Sequence, residues 1–130
     1  MASLKDYESV VAKEKVTICI DFDGVIHDSN KGFYNGKCYG NPINRTYEAL
    51  KELSGNYSLV IYTCKANPDR PLIDGKNGVE LVWEWLEKHN MANYIEDVVF
   101  GKPHALFYID DKAIRFNSWE KALDDINNLV

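Results

Sequence analysis

The stretch Ile18-Cys19-Ile20-Asp21-Phe22-Asp23-Gly24-Val25-Ile26-His27 decides the fold. An apolar run rich in β-branched residues, Val16 to Ile20, reads as a buried strand and stops at two acids with a single residue between them. Paired carboxylates at such a strand end repel each other and lose hydration, so something must compensate, and a bound cation is the simplest candidate. In extended backbone the two acids point the same way, and Gly24 lets the chain turn sharply just after them.

Outward from this stretch, apolar runs alternate with helical periodicities. Asn44 to Leu53 carries Tyr47, Leu50 and Leu53 at helical spacing, with Asn44 as the expected N-cap and Gly55 as the stop. Tyr57 to Tyr62 reads as a second strand. Val79, Val82, Trp83 and Leu86 form one apolar stripe opposite Glu80, Glu84 and Glu87, which predicts a helix ending near Asn90. Val98 to Phe100 and Ala105 to Ile109 are expected as short strands. Ser118 opens a last helix with Trp119, Leu123 and Ile126 inward, and Ser3 caps a shorter one through Val11. Strands alternating with helices at this spacing imply right-handed crossovers. The expectation is α/β: one Rossmann-like, doubly wound domain over residues 1–130, its mainly parallel sheet covered by helices on both faces.

Composition excludes some classes. At 130 residues, with 45% hydrophobic and 27% charged side chains, the chain calls for no second domain. Fifteen basic against twenty acidic side chains give a formal charge of −5, which argues against a general attraction to nucleic acid. No window approaches the apolar length of a membrane span and the first residues have no apolar secretory core, so a cytoplasmic location is expected. Cys19, Cys38 and Cys64 are odd in number and scattered, which suggests reduced thiols rather than disulfides or a zinc site.

In open parallel sheets, ligands sit beyond the carboxyl ends of the strands. Those positions hold Asp21 and Asp23, then Thr63 and Lys65, then Lys102, then Asp110 and Asp111. Carboxylate oxygens suit a hard cation, and Mg²⁺ favours one or two carboxylates with waters and phosphate oxygens. A carboxylate can also attack phosphorus, with a second acid serving the leaving oxygen and then water. A threonine hydroxyl and a lysine ammonium can hold the phosphoryl oxygens.

Four motifs, Asp21-Phe22-Asp23-Gly24-Val25, Ile61-Tyr62-Thr63, Lys102 in Gly-Lys-Pro and Tyr108-Ile109-Asp110-Asp111, occur in one order over about residues 16–116. In this the chain resembles the haloacid dehalogenase-like superfamily of phosphohydrolases. The resemblance implies that Asp21 is the nucleophile, Asp23 the general acid and base, and Thr63 and Lys102 the phosphoryl clamps. It also implies that Asp110 and Asp111 stand on the magnesium side, Asp110 directly and Asp111 through water, and that the backbone carbonyl of Asp23 joins Asp21 as a metal ligand. Gly24, Thr63, Lys65 and Lys102 are then expected to face the substrate. Family members often carry a cap domain, but Val25 to Ile43 leaves room only for a hairpin-like flap, and Ala66 to Gly78 only for a loop. The chain therefore resembles a capless, Mg²⁺-dependent phosphatase that hydrolyses a phosphomonoester through an aspartyl-phosphate. Its expected substrate is a phosphorylated small molecule or nucleotide; a nucleic-acid end is possible but less favoured by the charge.

Rival readings of the acids fare less well. A calcium loop counted from Asp21 needs glycine sixth and glutamate twelfth, where Ile26 and Gly32 stand. A phosphoacceptor receiver domain places its accepting aspartate after a middle strand, whereas here the middle strands end at Thr63 and near Lys102. A non-catalytic protein of the same fold, binding metal or serving as a scaffold, is the third reading; the full acid set argues against a scaffold, because four unmatched carboxylates are costly to keep together without a metal to offset them. Lys65, Arg70 and Lys76 read either as a solvated mixed-charge loop or as a grip on the leaving group. Phe33, Tyr34 and Tyr39 are expected to pack on their own flap rather than stack on substrate, and His27 to make a structural hydrogen bond. His89 is expected to serve its helix dipole, His104 to stand clear of the ligand, and Arg115 to pair with one of the acids. Cys64 is expected as a packed thiol, and Trp83, Trp85 and Trp119 as core or partial packing.

Overall fold

The computed structural model describes residues 15–129, so the helix expected from Ser3 to Val11 lies outside the described residues. β1 (Val16–Asp21) sits inside the sheet between β2 (Tyr57–Tyr62) and β4 (Phe107–Ile109), and β3 (Asp97–Val99) flanks β2. Every pairing is parallel, which gives a four-stranded sheet in the order β3-β2-β1-β4. With α1 (Thr46–Ser54), α2 (Gly78–Lys88) and α3 (Trp119–Leu129), the described residues form an α/β fold.

The registers bring the chemistry to one edge. Asp21 lies opposite Tyr62 and Ile20 opposite Ile109, so Thr63, Asp110 and Asp111 leave the sheet at the level of Asp21. The chain steps outward from β1 to β2 to β3 and then returns to the far side of β1 as β4. Strand order therefore reverses between β1 and β4, where an open parallel sheet forms a ligand crevice.

Alternation along the strands places the core on one face. Ile18 and Ile20 of β1 and Leu59 and Ile61 of β2 meet Leu50 of α1 and Val82 and Leu86 of α2 in one buried cluster. Truncating a fully buried aliphatic such as Ile61 or Leu86 to alanine is expected to cost about 2–5 kcal/mol. α2 begins with a reciprocal capping box, in which Asn77 Oδ1 accepts the Glu80 N–H at 2.9 Å and Glu80 Oε1 accepts that of Asn77 at 3.3 Å. Two of its tryptophans behave as expected, Trp85 buried and Trp83 partly so. At α1 the cap position is Arg45, in left-handed backbone and without a side-chain cap bond, rather than Asn44.

The carboxyl-terminal elements depart from expectation. Trp119, Leu123 and Ile126 were expected inward, yet they are 72%, 57% and 44% exposed, and α3 buries only Ala122. The stripe is amphipathic, but none of its residues joins the apolar cluster that the described residues of β1, β2, α1 and α2 form. β4 is likewise exposed along its whole length, as an edge strand. Among the described residues, no helix is long and apolar enough to cross a membrane.

Candidate functional site

β1 ends at Asp21, and the chain then turns within a few residues. Gly24 has φ +84°, and a Cβ there would stand 2.2 Å from Asp111 Oδ2, so only glycine allows both the turn and the close approach of that carboxylate. The N–H groups of Ile26 and His27 both reach the Phe22 carbonyl at 2.9 Å, which seals the turn. The flap closes at its root, where Asp28 N–H donates to Asn41 O and Ile43 N–H to Ile26 O. Beyond that root it is a succession of turns rather than a ladder.

A cavity of about 370 Å³ opens at this edge, lined by Asp21, Asp23, Phe33, Thr63, Asp110 and Asp111 among others. Asp21, Asp110 and Asp111 each offer an oxygen within 4.8 Å of the other two. Carboxylate oxygens are the donor type that a hard divalent cation takes. Burial pushes the Asp21 carboxyl up to about 6; a hydrogen bond from the Phe22 N–H opposes this, and Asp110, Asp111 and Asp23 add to it by repulsion. Asp110 is held on both oxygens, by the Tyr62 hydroxyl at 2.6 Å and the Lys112 N–H at 2.9 Å. Those hydrogen bonds, the tyrosine's first, keep its carboxyl below the usual range.

Asp23 shares the cavity but not the cluster. Its Oδ1 lies 2.8 Å from His27 Nδ1, and its Oδ2 lies 3.0 Å from Lys65 Nζ. The second contact is an ion pair without hydrogen-bond geometry. Burial alone would raise the Asp23 carboxyl; the His27 bond and the Lys65 charge outweigh it and hold the group below its ordinary value. His27 thus makes the structural bond expected of it. Thr63 is buried, and its Oγ1 accepts the Lys65 N–H at 3.2 Å, which leaves the hydroxyl proton to donate.

Several side chains lie elsewhere than expected. Lys65 is neither solvated nor on the cavity wall; it is 1% exposed beneath Asp23. Cys64, expected packed, is exposed and lines the cavity, because the 3-10 turn Cys64–Ala66 directs Lys65 and Ala66 inward in its place. Lys102 rests its Nζ 5.4 Å from the Tyr62 ring centre and 5.0 Å from that of Tyr108, outside the cavity lining, whereas Lys112 lies on that lining. Arg115 pairs with none of the site acids and lines a separate cavity of about 380 Å³ against α3. Burial, then the Lys88 charge, lowers the His89 pKa, and Lys88 is the basic residue in the last turn of α2. His104 is exposed and stands clear of the cavity.

In the flap, Tyr39 packs inward as expected, with its ring edge-on to His27 and its hydroxyl donating to Gly32 O at 2.6 Å. Tyr34 is exposed. Phe33 reaches the cavity, with the Arg70 guanidinium carbon 4.1 Å from its ring centre. Lys76 pairs with Glu84 on the outer face of α2.

Sequence reasoning missed two features, the burial of Lys65 and the Tyr62 hydroxyl on Asp110. A trace of the first is Gly78, which is required where α2 starts against the Lys65 carbonyl. No family model matches the chain, and no curated protein or solved structure matches it.

Proposed function

We propose that the chain is a Mg²⁺-dependent phosphatase of the haloacid dehalogenase-like type, built on a capless, doubly wound, Rossmann-like domain and acting on a phosphomonoester. One observation carries this reading: Asp21, Asp23, Thr63, Asp110 and Asp111 converge on one cavity at the carboxyl edge of a parallel sheet, where strand order reverses. Asp21, Asp110 and Asp111 would hold the cation, which supplies neutralising charge for the phosphoryl oxygens when bound.

The chain's own residues do the rest. An Asp21 carboxylate oxygen attacks phosphorus as the bond to the leaving oxygen breaks, giving an aspartyl-phosphate. Asp23 gives a proton to that leaving oxygen, then takes one from the water that attacks the same phosphorus, which releases phosphate and restores Asp21. The hold of Lys65 on Asp23 favours the second, base-assisted half. The Thr63 hydroxyl donates to a phosphoryl oxygen, and Lys102, whose charge reaches Asp110, is the phosphoryl clamp of this reading. The acidic balance of the chain favours a phosphorylated small molecule or nucleotide over a nucleic-acid end. Three unpaired cysteines suit a reducing, cytoplasmic setting.

The test is phosphate release from p-nitrophenyl phosphate and a panel of nucleotides and sugar phosphates, with Mg²⁺ and with EDTA. The reading expects turnover that needs the cation. Turnover indifferent to EDTA, or silence across the whole panel, would count against it.

A further inference from the structure

Among the described residues, Lys65 is the one buried lysine. Its backbone is fixed twice, by Thr63 Oγ1 on its N–H and by the start of α2 on its carbonyl. A Cβ at Gly78 would stand 1.4 Å from that carbonyl oxygen, so only glycine lets the two segments meet. The side chain runs inward beneath the flap, with Nζ 4.5 Å from the Phe33 ring centre and 3.0 Å from Asp23 Oδ2.

His27 closes on the same carboxylate from the other side. Gly40 N–H donates to His27 Nε2 at 2.8 Å, which assigns the ring proton to Nδ1 and aims it at Asp23 Oδ1. The ring is fully buried, stacked on Phe22 with centres 5.0 Å apart and edge-on to Trp85 and Tyr39. Gly40 is required here too, since a Cβ would lie 2.0 Å from Asp28 O and 3.2 Å from His27 Nε2. Each oxygen of Asp23 thus has its own partner, one from the loop after β2 and one from the flap, and neither partner lies on the cavity wall.

We infer that Lys65 and His27 are positioning residues that clamp the Asp23 carboxylate from two sides and hold it apart from the Asp21, Asp110 and Asp111 group. Lys65 is accordingly not a substrate ligand, and it acts on the reaction only through Asp23. The effect on rate rests on the phosphatase reading, but the clamp itself does not.

The kinetic test is a double-mutant cycle on p-nitrophenyl phosphate with Mg²⁺. Lys65→Met is expected to lower kcat about 10- to 100-fold with KM changed less than about twofold, because a displaced catalytic group loses rate rather than binding. Lys65→Arg, which keeps the charge, is expected to restore part of it. In an Asp23→Asn background, Lys65→Met is expected to add less than about a twofold loss. Losses that multiply, or a rise in KM alone, would overturn the inference.

If the wild-type chain hydrolyses nothing, the phosphatase reading fails and the clamp is decided separately by ¹⁵N NMR of the histidine rings. The same measurement decides it if Lys65→Met does not fold. The clamp expects the His27 proton on Nδ1, sheltered from exchange with water and exposed to it in Asp23→Asn. A proton on Nε2, or one that exchanges equally in both proteins, would overturn it.

Discussion

Asp21 and Asp23 stand one residue apart, yet they occupy opposite electrostatic regions. The β1–β4 edge gathers Asp21, Asp110 and Asp111, with no lysine or arginine in ion-pair contact with any of them among the described residues. The β1–β2 edge sets a single acid between Lys65 and His27. Burial acts the same way on both aspartates, raising the carboxyl; it wins at Asp21 and loses at Asp23. Roles within a pair of like residues therefore come from their neighbours. Burial and like-charged neighbours raise Asp21, whereas the His27 bond and the Lys65 charge hold Asp23 down.

The comparison breaks most sharply at Asp21, the proposed nucleophile. Asp21→Asn is expected to lower phosphate release by more than about 1,000-fold while leaving the circular dichroism spectrum unchanged. Appreciable turnover in that variant would remove the assignment.

Asp23→Asn tests the compensated side. It leaves Lys65 buried without its anion, for an expected loss of about 3 kcal/mol in urea unfolding at pH 7. Because the Asp23 carboxyl is held below its ordinary value, its contribution is present at neutral pH and fades as pH falls through the lowered value. A loss that persists undiminished in strong acid would show that charge is not its cause.

Asp110→Asn probes the cation side. The Mg²⁺ concentration for half-maximal activity, and the dissociation constant from calorimetry, should both rise about 10- to 100-fold. Removing the Tyr62 hydroxyl, as Tyr62→Phe, should move the same quantities in the same direction but less.

A smaller effect has the opposite sign. Asp21 is raised to about 6 without a cation, so the folded state favours its protonated form, and that stability is lost as pH rises through about 6. In EDTA at pH 7, Asp21→Asn should therefore stabilise the chain, by about 1 kcal/mol once the group's partial exposure is allowed for. Added Mg²⁺ should reverse the ranking of the two proteins. Smallest of all, Trp119→Ala should stay within about 0.5 kcal/mol of the parent, since the ring is 72% exposed, whereas Trp85→Ala should cost about 3 kcal/mol or more.

What the sequence discloses and what it hides divide along a similar line. The strands at Val16 and Tyr57, the capping box at Asn77 and the acids past β1 and β4 follow from local pattern: β-branched runs, a 3.6-residue stripe, and carboxylates at strand ends. The cavity at the sheet edge follows from the parallel order. The burial of Lys65 does not, because it depends on Gly78, remote in sequence, packing against its carbonyl. The tyrosine on Asp110 is hidden for the same reason, since Tyr62 reaches across β1 to a strand that is not its neighbour. In α3 the period is correct and the burial is not: amphipathicity says that a helix has an apolar face, not what that face meets.

The central claim is that Asp21 carries the phosphoryl group during turnover. The most direct measurement is to quench the reaction in acid and weigh the peptide that contains Asp21. The account predicts a phosphoryl adduct on Asp21 that disappears with EDTA and in Asp21→Asn. Steady turnover without that adduct, or with the adduct on another residue, would contradict it.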